Sequence, residues 1–228
     1  MAHNTIVSSS ARFVTNLFAE RLPVWAHYHS LKHTATVVVG CRKIGINLGL
    51  KADDIEVITI AGWFHDTGYT KRVKDNERVG AAIAQTFLMR NNYSQSKIRK
   101  VIDCIMATKI PQRPRNILEK VICDADMASL GKKTFLTENE LLRKEIVECE
   151  NRNMDVSTWL RRTEPFLRTH RFHTTYGRTV LERGRQKNIS IIQQLIREIE
   201  EQNERIAHGK KNPKEKQRHK MPHKAKDF

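Results

Sequence analysis

The apolar run Ile55-Glu56-Val57-Ile58-Thr59-Ile60-Ala61-Gly62-Trp63-Phe64 leads directly into the doublet His65-Asp66. A mostly apolar run of this length predicts a helix that is buried in the fold. The helix delivers two side chains that can bind a metal to its end. Burying a histidine beside an unpaired carboxylate is costly unless something compensates the charge. A divalent cation would compensate both groups, so the doublet predicts a metal site.

Two further residues strengthen this prediction. His33 lies upstream in Tyr28-His29-Ser30-Leu31-Lys32-His33, and Asp126 lies downstream in Asp124-Ala125-Asp126, each beside an apolar helical run. Two imidazoles and two carboxylates suit one divalent ion such as Mn²⁺, Fe²⁺, Co²⁺, Ni²⁺, Zn²⁺ or Mg²⁺. Such an ion would activate water and neutralise phosphoryl charge, which favours hydrolysis of a phosphate ester. The alternative is that each histidine is an ordinary core residue and each aspartate a helix cap.

Composition points to an anionic partner. The chain has 228 residues, 29% of them charged, and a formal net charge of +16. Its length suits one domain, and its charge favours nucleotides, nucleic acid or an acidic surface as partners. Much of the positive excess falls in residues 161–187 and 210–226.

Cysteine usage and hydropathy predict the compartment. The four cysteines form no Cys-x-x-Cys pair, so a disulfide framework or zinc ribbon is not expected and a reducing compartment fits best. The N-terminal segment lacks the apolar core of a signal peptide, and no stretch has the length of a membrane span. We therefore expect a soluble, cytoplasmic protein without a membrane span.

Helical periodicity extends along almost the whole chain, and no alternating strand pattern is present. The predicted helices cover about 8–21, 30–48, 53–64, 75–88, 94–108, 116–131, 137–151, 155–169 and 174–206, with Gly184 as a candidate interruption of the last. The expected fold is an all-α helical bundle over residues 1–207. Residues 208–228 are basic and almost without apolar side chains, so we expect a disordered tail.

The quoted segments together resemble the HD superfamily of metal-dependent phosphohydrolases, and the resemblance extends from about Phe13 to Leu195. It implies an all-α bundle whose metal ligands are His33, His65, Asp66 and Asp126. Asp124 is then a supporting residue, although an exchange of roles between Asp124 and Asp126 stays open. The phosphodiesterase branch of the family carries a second metal ligand where this chain has Tyr69, so the resemblance implies a single metal.

Further residues acquire expected roles from the same resemblance. His29 is a candidate general acid, although Ser30 replaces the asparagine of the related signature, and a phosphate contact or a structural role remains an alternative. Glu77 is expected to orient the attacking water, or else simply favours a helix N-terminus. Asp66 is expected to act in catalysis as well as in metal binding.

Four basic residues are candidates for substrate binding. Lys109 and Arg113 follow a helix end where relatives contact phosphate, and ordinary surface charge is their alternative. His170 and His173, in Arg168-Thr169-His170-Arg171-Phe172-His173, resemble the signature of one subgroup of predicted HD phosphohydrolases. They could line the phosphate end of a pocket or belong to a charged helix junction.

The leading hypothesis is a hydrolase of a phosphate ester, most simply of a nucleotide or a similar small anionic metabolite. A second hypothesis is a nucleic-acid-binding protein or nuclease that uses the basic helices and tail. A third is a sensor that binds metal and nucleotide without turnover. Whether the basic face implies a homodimer is left open by the sequence.

Overall fold

The computed structural model describes residues 5–211. All regular secondary structure in this range is helical, as predicted. The helices are α1 (Ile6–Arg21), α2 (Leu31–Asn47), α3 (Ala52–Phe64), α4 (Asn76–Arg90), α5 (Gln95–Ala107), α6 (Ile117–Asp126), α7 (Phe135–Glu150), α8 (Val156–Thr169) and α9 (Glu182–Lys211). Short 3-10 turns, Thr67–Thr70 and Met127–Gly131, follow α3 and α6. No helix in the described range is long and apolar enough to cross a membrane.

Local capping explains where several helices begin. The side chains of Ser30, Asn116 and Asp155 accept hydrogen bonds from backbone N–H groups in the first turns of α2, α6 and α8. These bonds satisfy donors that a helix cannot satisfy internally. At α1 the cap is Thr5, whose hydroxyl accepts from the Ser8 N–H, so this helix begins two residues before the predicted start at residue 8.

The central helix α3 is buried on nearly all sides. Its buried residues run without a gap from Val57 to Gly62 and include Phe64. Helices α1, α2, α5 and α6 pack against it. A helix that is apolar all round must be surrounded by other elements, so the same run that makes α3 central places His65-Asp66 inside the protein.

The last helical segment breaks at a different place from the one expected. A π-helical turn at Gly177–Leu181 precedes α9, whereas Gly184 lies within the regular helix. Gly184 is needed for close packing, because a Cβ there would overlap the carbonyl oxygen of Gly131. The predicted interruption at Gly184 is therefore wrong. Gly184 and Gly131 mark the place where α9 crosses the turn after α6. Helix α9 continues to Lys211, and the rest of the predicted tail, 212–228, lies outside the described residues.

The basic segment 161–187 does not form one continuous cationic surface. Arg185 is 2% exposed, and its guanidinium donates to the Leu167 carbonyl and to the Glu182 carboxylate. Arg161 pairs with Glu200 on α9 at 2.6 Å. Part of the positive charge that the sequence concentrates here is thus used to join α8 to α9.

Candidate metal centre

Three helices bring the four predicted ligands together. His33 lies in the first turn of α2, His65 and Asp66 follow the last residue of α3, and Asp126 ends α6. Helix α2 packs against both α3 and α6. The three helix termini consequently meet at one point, and the four side chains are between 1% and 12% exposed.

The ligand atoms converge closely. His65 Nε2 lies 3.0 Å from Asp66 Oδ2 and 3.4 Å from His33 Nε2, and His33 Nε2 lies 3.4 Å from Asp66 Oδ2. Asp126 Oδ1 is 3.3 Å from His33 Nε2 and 3.7 Å from His65 Nε2. Ligands held about 2.1 Å from one cation stand about 3.0–3.4 Å apart, so the spacing fits a metal.

The protonation of His65 supports the same conclusion. Its Nδ1 lies 2.9 Å from the Gly62 carbonyl oxygen, which can only accept, so in the neutral imidazole Nδ1 carries the proton and Nε2 presents a lone pair. Asp66 Oδ2, which faces this nitrogen, is buried and has no hydrogen-bond donor. Lone pairs that face one another without a donor fit a cation between them.

Charge coupling within the cluster is strong. Burial opposes ionisation of Asp66, but the neighbouring His65 and His29 lower the pKa of its carboxyl below the ordinary range. Burial likewise lowers the pKa of His65, but Asp66 outweighs it and raises the pKa to about 9. A proton and a metal therefore compete for the same nitrogen.

Asp124 faces the opposite side of α6 from the ligand cluster. It is fully buried, and its carboxylate accepts hydrogen bonds from the His173 N–H at 2.8 Å and from the Thr174 N–H and hydroxyl at 2.8 and 2.6 Å. The structure therefore places Asp126 beside the other ligands, and Asp124 anchors the segment that leads into the π-helical turn.

His29 lies next to the cluster and has a partner that the sequence did not suggest. Its Nδ1 is in direct contact with Glu145 Oε1 of α7, and Glu145 Oε2 accepts from the N–H groups of Tyr28 and His29 at 2.8 and 3.0 Å. The ring of Tyr69 stacks on the imidazole at 3.9 Å between centroids. Burial lowers the pKa of His29, but Asp66 and Glu145 together raise it above its ordinary value.

A cavity of about 440 Å³ opens from the metal centre, and this volume is typical of a small-molecule site. Asp66, Asp126, His29 and Glu77 all line it, and so does Glu145. The predicted catalytic residues therefore share one cavity. From there the cavity extends between α7 and α8, which the sequence did not associate with the site.

The four predicted substrate-binding residues do not line this cavity. Lys109 Nζ donates to Asp75 Oδ1 at 2.5 Å on the surface. His170 and His173 lie at the junction between α8 and the π-helical turn, where His173 donates to Asp124 through its backbone. Their proposed phosphate contacts, and that of Arg113, stay predictions.

Comparison with known proteins agrees with this geometry. Residues 30–129 match the family model of the HD domain. Among solved structures, the chain is similar to a predicted HD superfamily hydrolase from an uncultured Thermotogales bacterium, with a TM-score of 0.56 and 17% identity over 82% of this chain and 91% of that chain. At this identity the likeness shows the shared fold. Comparison with curated proteins gives no match.

The matched residues 30–129 contain all four ligand positions, from His33 in α2 to Asp126 at the end of α6. The family match, the all-helical fold and the converging ligand atoms agree with one another. Residues 30–129 of this chain therefore match the HD domain, and the fold is similar to that of a predicted HD superfamily hydrolase.

Proposed function

We propose that this protein is a metal-dependent phosphohydrolase that cleaves the phosphate ester of a nucleotide or a similar small anionic metabolite. The observation that carries the proposal is the meeting of four ligand atoms from His33, His65, Asp66 and Asp126 at the inner end of an open cavity. When bound there, one divalent cation would supply a lowered water pKa and neutralisation of phosphoryl charge.

The surrounding residues have complementary tasks in this reaction. Glu77 lies at the first turn of α4 and lines the cavity, where its carboxylate can orient the attacking water and accept its proton. His29 is held by Glu145 through Nδ1, which leaves Nε2 to donate a proton to the leaving oxygen. Asp66 and Glu145 raise the pKa of His29, which favours the protonated form that this donor role needs.

Removing one ligand tests the proposal. The protein is stripped with a chelator, reloaded with each candidate divalent ion, and assayed on 4-nitrophenyl phosphate. We expect Asp66→Ala to lose the bound ion and to lower turnover by about 1000-fold or more. Asp53→Ala is the matched control, since Asp53 is an exposed carboxylate on α3, the helix that leads into Asp66. Turnover by metal-free Asp66→Ala at the rate of the unaltered protein would contradict the proposal.

A further inference from the structure

The segment that joins α5 to α6 passes beside the metal centre. It comprises residues 108–116, and part of it lines the cavity. Two prolines, Pro111 and Pro114, restrict its backbone on either side of Gln112, because the proline ring fixes φ. Gln112 therefore lies in a stretch of chain with little conformational freedom.

Hydrogen bonds hold both ends of this segment. At its start, Lys109 Nζ pairs with Asp75 Oδ1 at the beginning of α4. At its end, the Glu119 carboxylate is only 5% exposed and accepts from the Arg115 N–H at 2.5 Å and from the Asn116 side-chain amide at 2.6 Å. A segment fixed at both ends can place a side chain between them reproducibly.

The side chain placed in this way is that of Gln112, and it contacts a predicted metal ligand. Gln112 Nε2 donates to Asp126 Oδ2 at 3.4 Å. The other oxygen, Asp126 Oδ1, lies 3.3 Å from His33 Nε2 and 3.7 Å from His65 Nε2. Among the described residues, Gln112 is the one hydrogen-bond donor to Oδ2. The two oxygens of Asp126 thus have separate partners, one on the metal side and one on the α5–α6 segment.

The amide group of Gln112 is oriented by this contact and not by its other end. Its Oε1 is buried and has no hydrogen-bond donor among the described residues. Rotating the amide by half a turn would set Oε1 against Asp126 Oδ2, and two acceptors repel each other. A buried acceptor without a donor costs free energy, so the glutamine is not explained by bonding within its own segment.

We propose that Gln112 is a positioning residue of the metal centre, whose amide holds Asp126 Oδ2 so that Oδ1 stays directed at the cation. It relates to Asp126 as the Gly62 carbonyl relates to His65, by a hydrogen bond to the ligand atom that faces away from the metal. Such bonds orient ligands, and their removal lowers metal affinity about 10–100-fold. This inference rests on the metal centre of the proposed function and deepens it.

Metal affinity measured without a substrate tests the proposal. Gln112→Met keeps an unbranched side chain of similar length and removes both the donor and the unpaired acceptor. The Kd for Co²⁺, determined by competition with a fluorescent chelator, should rise about tenfold or more. The urea midpoint of the metal-free protein should not fall, because the unpaired acceptor is lost as well. Gln95→Met is the matched control, since Gln95 is an exposed glutamine in the first turn of α5.

An unchanged Kd for Gln112→Met would overturn the proposal, and so would a fall in the urea midpoint without a rise in Kd, which is the result expected of a merely structural glutamine. Gln112→Asn is a second variant that keeps an amide but is one methylene shorter. It should raise the Kd as Gln112→Met does, because its donor no longer reaches Asp126.

A double substitution tests whether Gln112 acts through Asp126. In an Asp126→Ala background the carboxylate is already absent, so adding Gln112→Met should change the Kd for Co²⁺ by less than about twofold. The full rise in Kd in this background would show that Gln112 does not act by holding Asp126, and would overturn the proposal.

The same measurements separate this inference from the proposed function. A rise in Kd for Gln112→Met, in a protein that does not hydrolyse any phosphate ester, would keep the inference and overturn the proposed function. Phosphatase activity of the unaltered protein, with an unchanged Kd for Gln112→Met, would do the reverse. Failure of the unaltered protein to bind any divalent ion would overturn both.

Discussion

The metal end of the cavity and the end between α7 and α8, the far lobe, differ in origin as well as in chemistry. The metal end is built from the termini of α2, α3 and α6, inside residues 30–129 that match the HD domain. The far lobe is the part of the cavity between α7 and α8, which follow the matched residues and contribute both apolar side chains, such as Leu142 and Phe166, and carboxylates, such as Glu138 and Glu150. This contrast indicates that one part of the chain holds the reactive centre and another shapes what reaches it.

One residue connects the two ends. Glu145 comes from α7 but contacts His29, which lies just before α2. It is 3% exposed, and both of its oxygens are used. The helix that forms one wall of the far lobe therefore also orients the proposed general acid.

Substitutions of the two aspartates of α6 give the strongest test of which residues build the metal end of the cavity. Asp126→Asn should lose metal affinity and lower turnover by about 100-fold or more, because an amide is a poor ligand beside two imidazoles. Asp124→Asn should instead lower the free energy of unfolding by about 2 kcal/mol, since its buried carboxylate accepts three hydrogen bonds. Metal analysis and urea unfolding of the chelated protein measure both effects.

An exchange of these outcomes would overturn the assignment of roles on α6. Loss of metal by Asp124→Asn, together with retention by Asp126→Asn, would mean that Asp124 is the ligand. The metal end as described would then be wrong, while the far lobe would be unaffected.

The metal end could be predicted from the sequence because its signals are local. An apolar run ending in His65-Asp66 requires a buried helix and a compensated charge, and His33 and Asp126 stand at similar helix ends. The all-helical class follows from periodicity for the same reason. The break before α9 was misplaced at Gly184, because a glycine chosen for close packing cannot be distinguished by sequence from one that ends a helix.

Glu145 and Trp159 could not be predicted because their environments depend on distant contacts. Glu145 lies 116 residues from His29 and looks like one of several glutamates on α7. Trp159 looks like an ordinary apolar position on α8, and its unpaired indole N–H is visible only once the packing around it is known. The surroundings of both residues result from packing between helices, rather than from the sequence pattern within one helix.

The contact between Glu145 and His29, which connects the two ends of the cavity, can be weakened by a single substitution. Glu145→Gln removes the charge that orients His29, so turnover of a monoester with an alkyl leaving group should fall about 10–100-fold, while 4-nitrophenyl phosphate, whose leaving group needs no proton, should change far less. Metal content should stay constant. Glu148→Gln is the matched control one turn away, where the carboxylate pairs with His27 at the surface. Equal losses on both substrates would show that Glu145 does not act through the leaving group.

The stability of the junction between α8 and the π-helical turn should depend on pH. His170 ends α8, and burial, together with the nearby His173 and Arg185, lowers the pKa of its imidazole from 6.5 to about 4. An unfolded chain protonates this group near pH 6.5, so the unfolded state binds more protons between these values. The free energy of unfolding should therefore decrease as the pH falls from 6.5 toward 4.

The contribution of His170 to this decrease should be about 1–3 kcal/mol. His170→Gln removes the titrating group and should flatten the pH dependence by that amount relative to the unaltered protein, measured by urea unfolding with the metal chelated in both. Metal affinity at pH 7 should not change, since His170 does not line the cavity. Identical slopes for the two proteins would mean that the junction of α8 and the π-helical turn does not respond to acid through this residue.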